Sequence, residues 1–217
     1  MADPQTEQPS PGTETVAEPV EAPSFEIRPA TPEDAPFMVQ CHIECLAETY
    51  AHIMPPAFAQ MRRDRFRQEV QETLDELLEM QQALTAGRAP IRSHWLAVAD
   101  DGPLAGEVLG AVASGEGMAP WERVYFSNPE PPVSFNLDHL YTRAVAHGSG
   151  MGQALLDVAL AAPSGGGRAA WLWILRDNPR AEAFYRRNGF VPDGLEVGCG
   201  PSWFDRPMFR MWRPSQP

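Results

Sequence analysis

Apolar positions in this chain switch between a spacing of two residues and a helical spacing, and each switch marks an element. Phe25-Glu26-Ile27-Arg28 alternates up to Pro29, a short first strand. Thr31-Pro32-Glu33-Asp34 then supplies an N-cap, a proline at the first helical position and two acids in the first turn. A helix is predicted from there to about Tyr50, ending before Pro55-Pro56. A second is predicted over 57–86, striped by Phe66, Val70, Leu74, Leu77 and Leu84 and stopped by Gly87 and Pro90. Residues 94–99 and 108–114 read as strands joined through Asp100-Asp101-Gly102-Pro103, a hairpin.

After a proline-rich loop around Asn128-Pro129-Glu130-Pro131-Pro132, residues 135–142 alternate as a fourth strand. Asn136, Asp138, Leu140 and Thr142 fall on one side of it; Leu137, His139, Tyr141 and Arg143 fall on the other. Next come His147-Gly148-Ser149-Gly150-Met151-Gly152 and a helix whose Met151, Ala154, Leu155, Val158, Ala159 and Ala162 share one face. Pro163 and Gly165-Gly166-Gly167 break it. Residues 169–175 are apolar on both faces, a central buried strand in which Trp171 and Trp173 read as core. Asn178-Pro179 opens a last helix, and Asn188-Gly189 closes it behind Arg186-Arg187. Phe190-Val191, a long loop over 194–206 and residues 208–212 complete a βααβββαβαββ order with no internal repeat.

Composition narrows the classes. Residues 1–24 carry five prolines and five acids, with no base and almost no large apolar residue, so they are expected to form a disordered tail ahead of a single domain over 25–217. The tail has no basic and apolar leader pattern, and no run of residues approaches a membrane span. The formal net charge is −12; without the tail, 24 acids face 17 arginines. That balance argues against nucleic acid and favours cationic partners. Three cysteines, an odd number, point to reduced thiols and the cytoplasm. Cys41 and Cys45 lack the further ligands that zinc requires, so no metal is expected.

The glycine loop is where chemistry enters. Gly148, Gly150 and Gly152 bare the backbone N–H groups at a helix N-terminus, a cradle for phosphate and above all pyrophosphate. A Walker loop is excluded because the chain contains no lysine, and the glycine spacing misses the dinucleotide fingerprint by one residue.

Leu140-Tyr141-Thr142 running into that loop, followed by Asn178-Pro179-Arg180-Ala181-Glu182-Ala183-Phe184-Tyr185-Arg186-Arg187-Asn188-Gly189-Phe190, resembles the GNAT superfamily of N-acetyltransferases over about residues 25–213. His147 stands where the family's Q/R-x-x-G-x-G/A pattern opens with Gln or Arg. Residues 44–55, with Glu48-Thr49-Tyr50, look like the helix-turn that frames the acceptor. The resemblance implies an α/β (α+β type) fold, a mixed and mostly antiparallel sheet splayed between strands four and five, with helices on both faces. It also implies acetyl-coenzyme A as co-substrate and an amine as acceptor. Leu140, Tyr141, Thr142, His147, Gly148, Ser149, Gly150, Met151, Gly152, Asn178 and Tyr185 would hold the coenzyme, with main-chain N–H groups near 140–142 for the oxyanion. Tyr50, Asn136 and Asp138 would meet the acceptor.

Acyl transfer to an amine needs a deprotonated nitrogen, because an alkylammonium with a pKa near ~10.4 is mostly protonated at neutral pH. The departing thiolate gains from a proton, and a phenol with a pKa near ~10 suits it. Tyr185, seven residues and two turns after Asn178, is the candidate acid; Asp138, through a water, is the candidate base. His139 has the better intrinsic basicity but reads as a packed histidine on the other side of the strand. A coenzyme A-binding sensor of the same fold that has lost transfer is the alternative, and a scaffold acting through the acidic tail a third reading. The acceptor's identity, and whether the chain forms a homodimer, stay open.

Overall fold

A computed structural model describes residues 22–118, 122, 135–161 and 167–215. The acidic tail over 1–21, the proline-rich loop around 128–132 and the break at 163–166 lie outside them. Seven strands form one sheet: β1 (Phe25–Pro29), β2 (Arg92–Ala99), β3 (Val108–Glu116), β4 (Phe135–Thr142), β5 (Ala170–Leu175), β6 (Val191–Gly198) and β7 (Pro207–Arg213). Their spatial order is β1-β2-β3-β4-β5-β7-β6, with every neighbouring pair antiparallel except β4 and β5.

Helices cover both faces. On one, α4 (Met151–Ala161) and α5 (Pro179–Arg187) close a core of Leu109, Phe135, Leu137, Met151, Leu155, Leu172, Tyr185 and Phe190. On the other, α1 (Ala35–Tyr50) and α3 (Phe66–Thr85) pack Ala35, Met38, Leu77 and Met80 on Leu96 and Ala111. The alternation of β2 explains the two layers: Leu96 and Val98 face α3, while Trp95, Ala97 and Ala99 face α4. Gly110 of β3 lets α4 approach, since a Cβ there would stand 2.9 Å from Leu155 Cδ1 and 3.1 Å from Met151 Sδ.

Two local expectations change. The helix expected over 57–86 is two, α2 (Ala57–Asp64) and α3, hinged at Arg65. Phe58 of α2 leaves the α3 stripe to pack against Trp203 and Met208, which a single rod would not permit. The long loop expected over 194–206 starts inside β6, which runs on to Gly198, and then holds a short 3-10 turn at Pro201–Trp203. Its pairing with β7 is irregular between Pro192 and Glu196, which hides the alternation. Among the described residues, no helix is long and apolar enough to cross a membrane.

Candidate active site

The site begins where two strands part. β4 and β5 pair only through Phe135 with Ala170 and Asn136 with Trp171. Beyond them the strands diverge, and the main-chain edge of β4 facing β5 is left for another partner. A cleft of about 440 Å³ fills the wedge. From the sequence candidates, Tyr50, Asp138, Leu140, Tyr141, Thr142, His147, Gly148, Gly150, Met151, Gly152, Asn178 and Tyr185 all line it.

Its mouth is the glycine loop. Gly148 and Gly150 adopt φ of 87° and 86°, and a Cβ on either would meet nothing within 4 Å. Backbone conformation, not crowding, therefore requires glycine there, and the space in front of the loop is open. In the first turn of α4, Met151 N is taken by Ser149 Oγ and Ala154 N by Gly150 O, which leaves the N–H groups of Gly152 and Gln153 for a ligand in that space. Ser149 is the exception among the loop's candidates. Its Oγ donates to Ala146 O at 2.7 Å and accepts from Met151 N at 3.2 Å, a cap for α4 that keeps the side chain out of the cleft.

Cations gather at the same mouth. Arg180 donates to His147 Nδ1 at 2.7 Å, and His147 Nε2 lies 3.2 Å from Thr142 O, so the imidazole accepts on one side and donates on the other. Burial and then the Arg180 charge lower the His147 pKa, which favours this neutral form. Arg187 also reaches the cleft. Neither arginine stood out in the sequence, although a base at the second residue of a helix opposes the macrodipole. That conflict was the available signal.

Deeper in, Asn178 Oδ1 accepts from Ala181 N at 3.1 Å and caps α5, while its amide reaches the Tyr50 hydroxyl at 3.5 Å. It thus bridges the end of α1 to α5. Tyr185 is buried on α5, and burial followed by Tyr50 pushes its phenol well above the ordinary range, so it stays protonated at neutral pH. Outside the cleft, α1 is tied to the turn after β4: Glu44 pairs with Arg143 at 2.6 Å and Glu48 accepts from Ala144 N at 2.7 Å.

The strict alternation expected along β4 fails at Asp138. Ala113 of β3 pairs with His139 and Ser114 with Leu137, leaving Asp138 in a bulge. Leu137 and Leu140 consequently share the α4 face, while His139 and Tyr141 stack on His42 of α1. Asp138 forms an ion pair with Arg92 of β2. Asn136, expected at the acceptor, is instead buried below the cleft, its amide donating to Glu122 Oε2 at 2.9 Å. Glu122 also accepts from the indoles of Trp171 at 2.8 Å and Trp173 at 2.7 Å. Trp171 is core as expected; Trp173 lines the cleft as well. Cys41 and Cys45 are buried free thiols with sulfurs 3.9 Å apart, and no group of metal ligands occurs among the described residues.

An opened parallel pair, a glycine loop on a helix N-terminus and two arginines form a slot for an extended molecule with anionic phosphates at one end. Residues 90–192 match a family model described as an acetyltransferase (GNAT) domain. No curated protein matches the chain. The PaiA N-acetyltransferase of Thermoplasma acidophilum, solved with coenzyme A, superposes with a TM-score of 0.62 at 20% identity over 88% of this chain and 99% of its own. A Corynebacterium glutamicum protein described as histone acetyltransferase HPA2 and related acetyltransferase gives 0.55 at 24% identity, over 89% and 98%. Arabidopsis thaliana NAA60, solved with a bisubstrate analogue, gives 0.55 at 14% identity, over 88% and 98%. At these identities the likeness establishes the fold.

Proposed function

We propose that this chain, whose residues 90–192 match a GNAT acetyltransferase domain, moves an acetyl group from acetyl-coenzyme A to a primary amine, small and cationic, by direct attack within a ternary complex. The observation that carries this reading is the parting of β4 from β5 after a single pair of registers, with the glycine loop and Arg180 at the end of the gap. The open edge of β4 offers backbone partners to an amide-bearing arm, and the loop with Arg180 and Arg187 suits a pyrophosphate. When bound, the coenzyme supplies a thioester whose carbonyl the amine attacks.

The chain's own groups then divide the work. Main-chain N–H groups near Leu140–Thr142 stabilise the oxyanion. Tyr185, kept protonated, donates to the departing sulfur. Asp138, half-claimed by Arg92, anchors the acceptor's positive nitrogen. The acidic net charge favours such an acceptor over an anionic one. We place the protein in the cytoplasm on its three free cysteines.

The Asp138–Arg92 pair also supports a second reading, a coenzyme A-binding relative without transfer, because it withholds the carboxylate from a substrate. Release of free thiol from acetyl-coenzyme A across a panel of primary amines separates the two. Amine-dependent release supports the transferase; stabilisation by the coenzyme with no release on any amine supports the sensor.

A further inference from the structure

The groups assigned above bind the acceptor and receive its leaving partner, yet none carries off the proton that an ammonium must lose. Behind β4, against α1 and α3, lies a second cavity of about 40 Å³, lined among others by His42, Thr73, Glu76, His94, His139 and Tyr141. His139 and Tyr141 also line the coenzyme cleft, so the two spaces share a wall. The His42 ring stacks on His139 at 5.5 Å and on Tyr141 at 4.4 Å, and His94 sits 6.5 Å from His139.

Three buried ring nitrogens at this cavity, His42 Nε2 and both nitrogens of His94, have no hydrogen-bond partner among the described residues. Buried polar nitrogens without partners are rare, and a cavity of this size with several polar walls admits at least one water. His94 Nε2 lies 3.2 Å from Glu76 Oε2, and the Glu76 side chain is 51% exposed, so the path ends in solvent.

We propose that this cavity holds water and that His139, His42, His94 and Glu76 form the exit by which the acceptor's proton leaves the cleft. The proposal rests on acyl transfer to an amine as read above. The ammonium N–H bond breaks and its proton passes to the neutral His139 ring; the freed nitrogen lone pair attacks the thioester carbon. Each imidazole takes a proton on one nitrogen and releases one from the other, by way of the cavity water, until the Glu76 carboxylate delivers it to solvent. One ammonium proton moves to bulk water; the second, shed by the attacking nitrogen as the tetrahedral intermediate collapses, restores the Tyr185 phenol, and no electrons change hands.

The charges facing this path suit a carrier that does not keep its load. Burial, then His42, His94 and Arg92, disfavour a positive His139, while Glu76 favours one. Burial and Arg62 do the same at His42. Glu76 itself is buried enough to oppose its charge, yet the His94 contact and the neighbouring His139 and Arg92 lower its pKa overall, so it is anionic at neutral pH.

Two variants test the route: Glu76→Gln at the solvent end, which leaves the core untouched, and His42→Phe, which keeps the ring stack without its nitrogens. Transfer from acetyl-coenzyme A to 1,4-diaminobutane is followed from pH 6 to 9, with coenzyme-induced thermal stabilisation as the check on folding. We expect kcat to fall about tenfold or more in each, in line with the usual scale of proton-transfer catalysis. The acetyl-coenzyme A KM should stay within about twofold and Glu76→Asp should recover most of the rate. Wild-type kcat at every pH in the folded Glu76→Gln protein overturns the relay while leaving the transferase reading intact. A wild-type protein that binds the coenzyme and acetylates no amine overturns that reading, and the relay with it.

Discussion

Arg180 donates to His147 Nδ1 at 2.7 Å, across the mouth of the glycine loop. The histidine's other nitrogen is engaged by Thr142 O, so its neutral form is the one that steers the arginine. A cation from α5 thereby stands beside the position where the related pattern carries Gln or Arg.

Removing that cation should weaken coenzyme binding. Arg180→Ala is expected to raise the acetyl-coenzyme A KM about tenfold, on the scale of a charge-assisted contact, with kcat little changed. His147→Ala should do less, and its effect should shrink in high salt as the phosphate attraction is screened. Equal KM values for Arg180→Ala and wild type at low salt would place the phosphates elsewhere.

Tyr185→Phe separates acid catalysis from packing. The ring remains in the core with Phe190 and Phe184, so the thermal midpoint should hold. The kcat should fall roughly 10²-fold while coenzyme binding persists. An unchanged kcat from pH 6 to 9 would remove the phenol from the reaction.

Asp138→Asn tests anchoring. Its loss should raise the KM for a cationic amine several-fold more than it lowers kcat, and a neutral-chain amine such as n-butylamine should feel it less than a diamine. The reverse split, kcat falling alone, would make Asp138 the proton acceptor.

Acid should destabilise the protein earlier than its carboxylates alone dictate. Burial lowers the pKa of His42 to about 3, and those of His139 and His147 also lie below the ordinary 6.5. The folded state holds these rings neutral, so the unfolded chain takes up protons first as pH falls through 6.5. Their contribution is complete above that pH and is lost progressively below it. Glu69, whose carboxyl burial raises, works in the opposite sense but from a single group. The thermal midpoint should drop between pH 7.5 and 5.0; a constant or rising midpoint contradicts the assignment.

Gly110→Ala probes the seat of α4. The added Cβ would meet Leu155 Cδ1 at 2.9 Å and Tyr141 O at 3.0 Å, and the backbone oxygen cannot give way cheaply. A loss of about 1–3 kcal/mol in unfolding free energy is expected; a neutral change would mean that α4 is free to shift.

Much of this site was legible because its signals are local. The glycine loop, the Asn178 cap and the Asn188-Gly189 stop each depend on a few adjacent residues, and they lie where their chemistry places them. The bulge at Asp138 was not legible, since only the partner strand shows that one residue lacks an opposite number. That one residue turns Leu137 and Leu140 to the same face and puts His139 against α1. Asn136 read as a substrate contact because Glu122 is fourteen positions away in sequence and meets it only in the fold. The three-histidine cavity draws on α1, α3, β2, β3 and β4, so no window of sequence contains it.

The central claim is transfer itself, and the most direct measurement is free thiol released from acetyl-coenzyme A on addition of primary amines. The account predicts release that depends on both substrates, saturates in each and falls with Tyr185→Phe. Coenzyme binding without amine-dependent release on any acceptor would contradict it.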